Sequence, residues 1–229
     1  MKTFRRRFSL QYIKERAASS SGCLSIPQST SNTITMPASE ELSAQQNTSR
    51  SKPSTEFTIG HATVADAEAI AQVGVETWTE SYGWSISAAD LAAFLEESYS
   101  VKRILADLED PAKETFVARD SVTGRVLGFG QLIRNITESC IPGDPATHAE
   151  LCRLFIGKDA QGKGVGSKIV AAIEAQAREE GFKQLWLSVW ENAHRQQGLY
   201  ERLGYVRVGT MKFPAGSHIH TDFVCTKSL

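Results

Sequence analysis

Apolar positions follow two different patterns along the chain, and the change comes near residue 56. From Phe57 onward, short apolar runs of strand length alternate with longer segments whose apolar residues recur every three or four positions. This pattern predicts the order β-α-α-β-β-β-α-β-α-β-β, with one or two helices in the second helical region. We therefore predict an α/β (α+β) fold with a mixed, mostly antiparallel sheet of about seven strands and helices on both faces.

Helix boundaries carry their own signals. Ser87 is a residue type that opens helices, Pro111 follows the second helical region, and Gly204 ends the last helix. A further helix is predicted to begin near Val165, with one apolar face at helical spacing. Its remaining positions, predicted to face water, include Glu174, Arg178 and Glu179.

Residues 1–55 have too few apolar positions to bury a core and are predicted to be a disordered extension. Their first 16 residues contain six Lys or Arg and one acid, and a Ser-rich stretch follows. This composition fits either an organelle transit peptide or an ordinary basic tail. No apolar segment follows the basic start, which argues against a secretory signal. Residues 56–229 are predicted to form one domain, in an intracellular protein that is cytoplasmic, or mitochondrial if the extension is a transit peptide.

Composition narrows the classes of function. The chain has 229 residues, a net charge of −1, 41% hydrophobic residues and 22% charged residues. This balance gives no argument for a nucleic-acid partner, and no apolar run approaches the ~18 residues of a membrane span. The four cysteines and five histidines have no metal-like spacing, so we expect reduced thiols and no metal site.

The candidate chemistry starts from the stretch GKDAQGKGVGSKIV at residues 157–170, where glycines crowd in front of a helix. A P-loop of the form GxxxxGK[ST] fails because Gly164 stands where Ser or Thr would bind Mg²⁺. A dinucleotide fingerprint GxGxxG fails because the third glycine, Gly166, comes one residue early. The pattern [QR]xxGx[GA] fits every position of residues 161–166.

This third pattern suits a pyrophosphate. Glycines let successive backbone N–H groups approach an anion, and the helix that follows directs the positive end of its dipole at the same point. Lys163 adds a cationic side chain. An alternative without a ligand is a plain glycine-rich turn.

With the segments LWLSVWEN and LYERLGY downstream, the region 150–209 resembles the GCN5-related N-acetyltransferase (GNAT) superfamily. The resemblance implies acetyl-CoA as co-substrate, and a strand ELCRLFI that splays from its neighbour and binds the pantetheine arm through its backbone, with Leu154 and Ile156 as candidates. Tyr200 would protonate the departing thiolate, and Glu150 would deprotonate the amine. Members of the superfamily commonly have an Asn that contacts the cofactor, and that position falls on Ala193 in this chain. Asn192, one residue earlier, is a further cofactor candidate. The implied cofactor contacts are Leu154, Phe155, Ile156, Gln161, Gly162, Lys163, Gly164, Val165, Gly166, Ser167, Asn192 and Tyr200.

The acceptor is predicted from the first two helices, whose aromatic and acidic residues suit a cationic amine. Trp78, Tyr82 and Trp84 are the substrate candidates, and this segment also looks like that of bacterial polyamine acetyltransferases. The resemblance therefore implies direct attack by a small amine, or by a protein amine, on acetyl-CoA in a ternary complex, by a monomer or homodimer. The alternative is a non-catalytic acyl-CoA-binding module on the same fold.

Overall fold

A computed structural model describes residues 56–215 and 218–229, so the predicted extension at residues 1–55 lies outside the described residues. One sheet of seven strands organises the described chain. The strands are β1 (Phe57–His61), β2 (Lys113–Asp120), β3 (Val126–Arg134), β4 (His148–Ile156), β5 (Gln184–Trp190), β6 (Val206–Ala215) and β7 (His218–Ser228). The sheet order is β1-β2-β3-β4-β5-β7-β6, and every neighbouring pair is antiparallel except β4 and β5. The prediction of a mixed, mostly antiparallel sheet is confirmed.

Within the described residues, five α-helices cover the two faces of the sheet. They are α1 (Ala67–Tyr82), α2 (Ala88–Tyr99), α3 (Val101–Leu108), α4 (Val165–Glu179) and α5 (His194–Arg202). The second helical region forms two helices, because Ser87 caps α2 and Ser100 caps α3, each accepting a hydrogen bond from a backbone N–H in the first turn. The helix breaks at Ser100, whose ψ of 150° is extended.

Each face of the sheet has its own core. Apolar residues of α1, α2 and α3 pack on one face with Val117 and Phe129. Those of α4 and α5 pack on the other face with Leu132 and Leu151. The predicted apolar face of α4 is buried throughout, at Val165, Ile169, Val170, Ile173 and Ala177.

One position of α4 differs from the prediction. Glu174 is 6% exposed rather than facing water. Its carboxylate receives the Lys227 ammonium at 2.8 Å and the Arg178 guanidinium at 3.3 Å, and Lys227 comes from β7. Helical periodicity reports which positions of a helix are apolar, and it carries no information about a cation on a strand that is distant in sequence. The pattern therefore predicted that Glu174 faces solvent.

The sheet opens at its centre. Residues 148–150 of β4 pair with residues 184–186 of β5, and no pairing between these strands follows beyond Glu150 and Trp186. β4 meanwhile stays paired with β3 as far as Ile156, with a bulge beside Leu132. The two strands therefore diverge as a V whose closed end is at Glu150, which confirms the splayed strand expected from the sequence.

Candidate active site

The backbone of β4 faces the V-shaped opening. Gly157 donates its N–H to the Leu127 carbonyl of β3 at 2.9 Å. Because alternate residues of a strand turn their N–H groups to opposite edges, those of Ile156 and Leu154 point away from β3 and toward the opening. Gln161 Nε2 donates to the Ile156 carbonyl at 3.0 Å, which places that carbonyl on the same outer edge. The opening thus presents to an extended ligand a strand edge with which β5 does not pair.

The glycine loop follows β4 directly and ends at the first turn of α4. Gly162 and Gly164 have φ values of +75° and +83°, the left-handed region that side chains with a Cβ rarely adopt. An added Cβ at either glycine meets no atom within 4 Å. Backbone conformation, and not crowding by the protein, is therefore what requires glycine here, and the space in front of the loop stays open.

A groove runs between the loop, α1 and α5. It is lined by Thr77, Ser81, Leu154, Ile156, Ala160, Gln161, Gly162, Gly164, Val165, Gly166, Ser167, Arg195, Gln196, Leu199, Tyr200 and Arg202. The Arg195 guanidinium donates to Gln161 Oε1 at 2.9 Å, which fixes the side chain at the start of the loop. Arg195 and Arg202 bring two positive charges to one wall, and the N-terminus of α4 adds the positive end of its dipole.

These features fit coenzyme A. Its pyrophosphate matches the glycine loop, the α4 N-terminus and the arginines of α5, and its amide-containing pantetheine arm matches the free edge of β4. The fit rests on two independent observations, the left-handed glycines with open space before them and the edge of β4 at Leu154 and Ile156, with which β5 does not pair.

A second cleft opens on the α1–α2 side of the sheet. Its walls are largely aromatic, with Trp78, Tyr82, Phe94, Tyr99, Phe155, Trp190 and Phe213 among the lining residues. The rings form one connected set: Trp78 lies 4.4 Å from Phe94 and 5.5 Å from Tyr82, and Tyr82 lies 5.9 Å from Trp190 between centroids. Flat apolar walls of this kind suit the body of a small organic molecule and the face of a cation.

Of the three acceptor residues predicted from sequence, Trp78 and Tyr82 line this cleft. Trp84 is 73% exposed, and its ring lies 5.6 Å from Trp190. The Trp84 indole N–H donates to the Ser81 carbonyl at 3.0 Å, which holds the ring beside the cleft instead of in it.

Tyr200 belongs to both clefts. Its side chain lines the groove beside the glycine loop and also the aromatic cleft. It is 9% exposed, and burial, with smaller contributions from Tyr82 and Cys225, raises its pKa well above the usual value of a phenol. The phenol is therefore neutral in the neutral pH range, and it stands at the junction of the two clefts.

Glu150 lies at the closed end of the V and is 2% exposed. Its register partner on β5 is Trp186, which shares a face with Ser188 and Trp190 of the aromatic cleft. Glu150 therefore stands on the same face of the sheet as the aromatic cleft, but it does not itself line the cleft.

Two predicted cofactor contacts, Asn192 and Lys163, line neither the groove nor the aromatic cleft. Asn192 is exposed in the tight turn after β5, which is held by hydrogen bonds from Ala193 N and Gln197 Nε2 to the Trp190 carbonyl, each at 2.9 Å. Gln196 lines both clefts one turn before Tyr200. Lys163 is exposed and does not line the groove. The other ten predicted cofactor contacts line one or both clefts.

Several residues that line the two clefts were not predicted from the sequence. Arg195, Leu199 and Arg202 share one face of α5 at helical spacing, so a signal for a cationic face was present. Asp222 shares one face of β7 with the buried Val224 and Thr226, and a carboxylate at period-2 spacing from an apolar position was an available signal as well. Thr77 and Ser81 of α1 reach the groove only through tertiary packing, which no local pattern reports.

The described residues contain no group of three or more His, Cys, Asp or Glu side chains able to hold a metal ion. Within the same ranges, none of the helices combines the length and apolar character needed to cross a bilayer.

The fold recurs in solved N-acetyltransferase structures. The PaiA N-acetyltransferase of Thermoplasma acidophilum, solved in complex with coenzyme A, superposes with a TM-score of 0.61 at 19% identity, over 76% of this chain and 99% of that one. A ribosomal-protein-alanine N-acetyltransferase of Brucella melitensis superposes with a TM-score of 0.56 at 20% identity, over 75% and 99%. Both similarities establish the fold.

The chain belongs to the acetyltransferase (GNAT) family, whose model matches residues 75–205. An uncharacterised N-acetyltransferase of Mycobacterium tuberculosis is 27% identical over 166 residues, covering 72% of this chain and 99% of that protein. The superfamily expected from the sequence is thereby confirmed.

Proposed function

We propose that the protein transfers the acetyl group of acetyl-CoA to a primary amine by direct attack in a ternary complex. The observation that carries the proposal is the position of Tyr200, which borders the groove suited to coenzyme A and the aromatic cleft. A residue at that junction is placed to act where the two substrates meet. Membership in the acetyltransferase family supports the same chemistry.

In this proposal the groove binds the co-substrate, whose thioester supplies the acetyl group. The glycine loop, the α4 N-terminus, Arg195 and Arg202 hold the pyrophosphate, and the strand edge at Leu154 and Ile156 holds the pantetheine arm. A backbone N–H on the same edge polarises the acetyl carbonyl. Binding both substrates side by side supplies proximity, which is a large part of the rate in such reactions.

Two side chains handle protons. Tyr200 donates its phenolic proton to the departing sulfur, and its raised pKa keeps that proton in place throughout the neutral range. The acceptor amine must lose a proton before it attacks. Glu150, buried on the acceptor side at the closed end of the V, receives that proton through water.

The test is release of free thiol from acetyl-CoA in the presence of a panel of amines, with Tyr200→Phe as the diagnostic variant. We expect kcat to fall by about 10²–10⁴-fold, the usual loss on removing a general acid, while coenzyme A affinity is retained. Tyr205→Phe is the matched control, because Tyr205 is also a buried tyrosine but lines neither cleft. It should keep kcat within about twofold of wild type.

The outcomes separate the proposal from a non-catalytic acyl-CoA-binding module. A binding module would retain coenzyme A affinity yet release thiol no faster than background hydrolysis across the whole panel. An enzyme whose Tyr200→Phe variant keeps full kcat would contradict the assignment of the general acid.

A further inference from the structure

A short passage connects the groove beside the glycine loop with the aromatic cleft. Within the described residues, the side chains that line both are Thr77, Ser81, Leu154, Gln196 and Tyr200. Because the proposed function brings the two substrates together here, the acetyl thioester lies in this passage. None of the five is an acid, a lysine, an arginine or a histidine, so a side chain that stabilises the reacting carbonyl from this passage is a neutral hydrogen-bond donor.

Gln196 brings to the passage a carboxamide that the rest of the fold does not use. Its side chain is half-buried on α5 and makes no hydrogen bond to any of the described residues. The neighbouring Gln197 differs, because its Nε2 donates to the Trp190 and Glu191 carbonyls, each at 2.9 Å, and holds the turn after β5. A half-buried amide without an intramolecular partner is satisfied by water or by a ligand. The fold therefore uses Gln197 and leaves Gln196 available to the substrates.

The position of Gln196 on α5 relates it to Tyr200. The two residues are one helical turn apart on the same face, a spacing that places their Cβ atoms about 5–6 Å from each other. Helical side chains lean toward the N-terminus of their helix, so the Tyr200 ring leans toward the turn that contains Gln196. In the proposed function Tyr200 protonates the departing sulfur, and the carbonyl oxygen of a thioester is two bonds from that sulfur. A carboxamide beside Tyr200 is therefore within reach of that oxygen.

The reaction creates negative charge on the same oxygen. Attack by the neutral amine forms the C–N bond and moves the π electrons of the carbonyl onto oxygen. The oxyanion then collapses and the C–S bond breaks, so the sulfur leaves with its electron pair and takes the phenolic proton of Tyr200. The proton that the amine loses goes to Glu150. A donor at the oxygen binds the oxyanion more tightly than the neutral carbonyl, so it lowers the barrier without tightening the binding of the thioester.

We propose that Gln196 Nε2 donates a hydrogen bond to the acetyl carbonyl and acts with the backbone N–H of β4 as a second donor to the oxyanion. The inference rests on the proposed function and adds a catalytic residue to it. The hydroxyls of Thr77 and Ser81 also line the passage, but they come from α1 and not from the helix face that carries the general acid. A carboxamide has the further advantage that it does not take up the proton of the amine.

The test is Gln196→Met, which removes the donor and keeps a side chain of similar length. We expect kcat to fall by about 10²–10³-fold, the usual loss on removing one oxyanion donor. The KM for the amine and the Kd for coenzyme A should stay within about threefold, because the interaction belongs to the transition state. Gln72→Met is the matched control. Gln72 is an exposed glutamine on α1 that lines neither cleft, so this variant should keep kcat within about twofold.

Thermal unfolding separates this role from a structural one. Gln196→Met breaks no hydrogen bond within the described residues, so its melting temperature should match that of the wild type within about 2 °C. Gln197→Met removes two hydrogen bonds to backbone carbonyls and should lower the melting temperature by several degrees, at about 1 kcal/mol for each bond.

Infrared spectroscopy tests the contact without turnover. Hydrogen bonding lowers the stretching frequency of a carbonyl, and a ¹³C label at the thioester carbon of acetyl-CoA distinguishes this band from those of the protein. The band of labelled acetyl-CoA bound to wild-type protein should lie at a lower frequency than the band of the same ligand bound to Gln196→Met. The Gln72→Met variant should give the wild-type band.

The failures are distinguishable. If Gln196→Met keeps kcat within about threefold, or if its bound thioester absorbs at the wild-type frequency, this inference is overturned while the acetyltransferase function stands. A higher KM for the amine with unchanged kcat, or a loss of coenzyme A affinity, would overturn it as well, because Gln196 would then bind a substrate in its ground state. If no amine releases thiol with the wild type, the proposed function fails, and the infrared comparison still decides whether Gln196 bonds to the carbonyl.

Discussion

At Gly164 the effect of backbone conformation can be measured separately from the effect of steric contacts. Its φ of +83° lies in the left-handed region, and open space surrounds the position of a Cβ. Replacement by alanine therefore costs backbone strain of about 1–2 kcal/mol without any clash. We expect Gly164→Ala to lose that much stability and to bind coenzyme A at least tenfold more weakly, because relief of the strain turns N–H groups away from the pyrophosphate.

Gly181 provides the control for this prediction. It has nearly the same φ, +86°, with equally open space, but it follows the far end of α4. Gly181→Ala should show a similar loss of stability in urea unfolding and unchanged coenzyme A affinity by calorimetry. Equal coenzyme A affinities for the two variants would contradict the assignment of the loop to the binding site.

At the scale of elements, one buried carboxylate joins α3, β2 and β4. Asp107 of α3 is 2% exposed and receives Lys113 of β2 at 2.6 Å, Arg153 of β4 at 2.9 Å and Arg103 of α3 at 3.0 Å. Burial disfavours its charge, but the cations, Arg153 first, outweigh burial and hold the pKa of the carboxyl below its usual value. The cluster fixes Arg153, and with it one wall of the aromatic cleft.

Asp107→Asn should therefore destabilise the protein by about 3–5 kcal/mol at neutral pH, since three cations lose a buried partner. Because the folded-state pKa is depressed, the stabilisation is complete above the ordinary value of about 4 and is lost as the pH falls through the folded pKa. The gap between wild type and variant in urea unfolding should accordingly shrink below about pH 4. Asp159→Asn, which removes a carboxylate that is 81% exposed, should change stability little. A constant gap down to pH 2 would contradict the role of the charge.

The elements themselves were predictable, because period-2 and period-3.6 patterns report directly which faces are buried. All seven strands and the helices around Ser87, Val165 and Tyr200 follow from that signal. The glycines of the loop were predictable as well, because a left-handed backbone at Gly162 and Gly164 favours glycine.

Contacts that depend on tertiary geometry were not predictable in the same way. Whether Asn192 or Gln196 reaches the groove depends on the shape of one turn. Whether Trp84 lies in the cleft or beside it depends on a hydrogen bond to Ser81. Asp222 lines the same cleft as Tyr82 only because β7 lies between β5 and β6 in the sheet. Strand order cannot be deduced from the local spacing of apolar residues.

At the scale of the whole molecule, the prediction concerns residues 1–55, whose composition indicates an extension that adds no core. Removing them should leave the melting temperature within about 2 °C, equivalent to less than 1 kcal/mol, and coenzyme A affinity within about twofold. Thermal unfolding and calorimetry of the full chain and of residues 56–229 make the comparison. A drop of several degrees would mean that the extension packs on the domain.

The V-shaped opening has a consequence for the lifetime of the protein. The two halves of the sheet share only three paired rows between β4 and β5, and the ligand proposed for the gap would bind both sides of that seam. A ligand that binds the folded state alone adds about 2.7 kcal/mol of stability at a hundred times its Kd. Unfolding and proteolysis would then slow as acetyl-CoA accumulates, so the abundance of the protein would follow the supply of its own co-substrate.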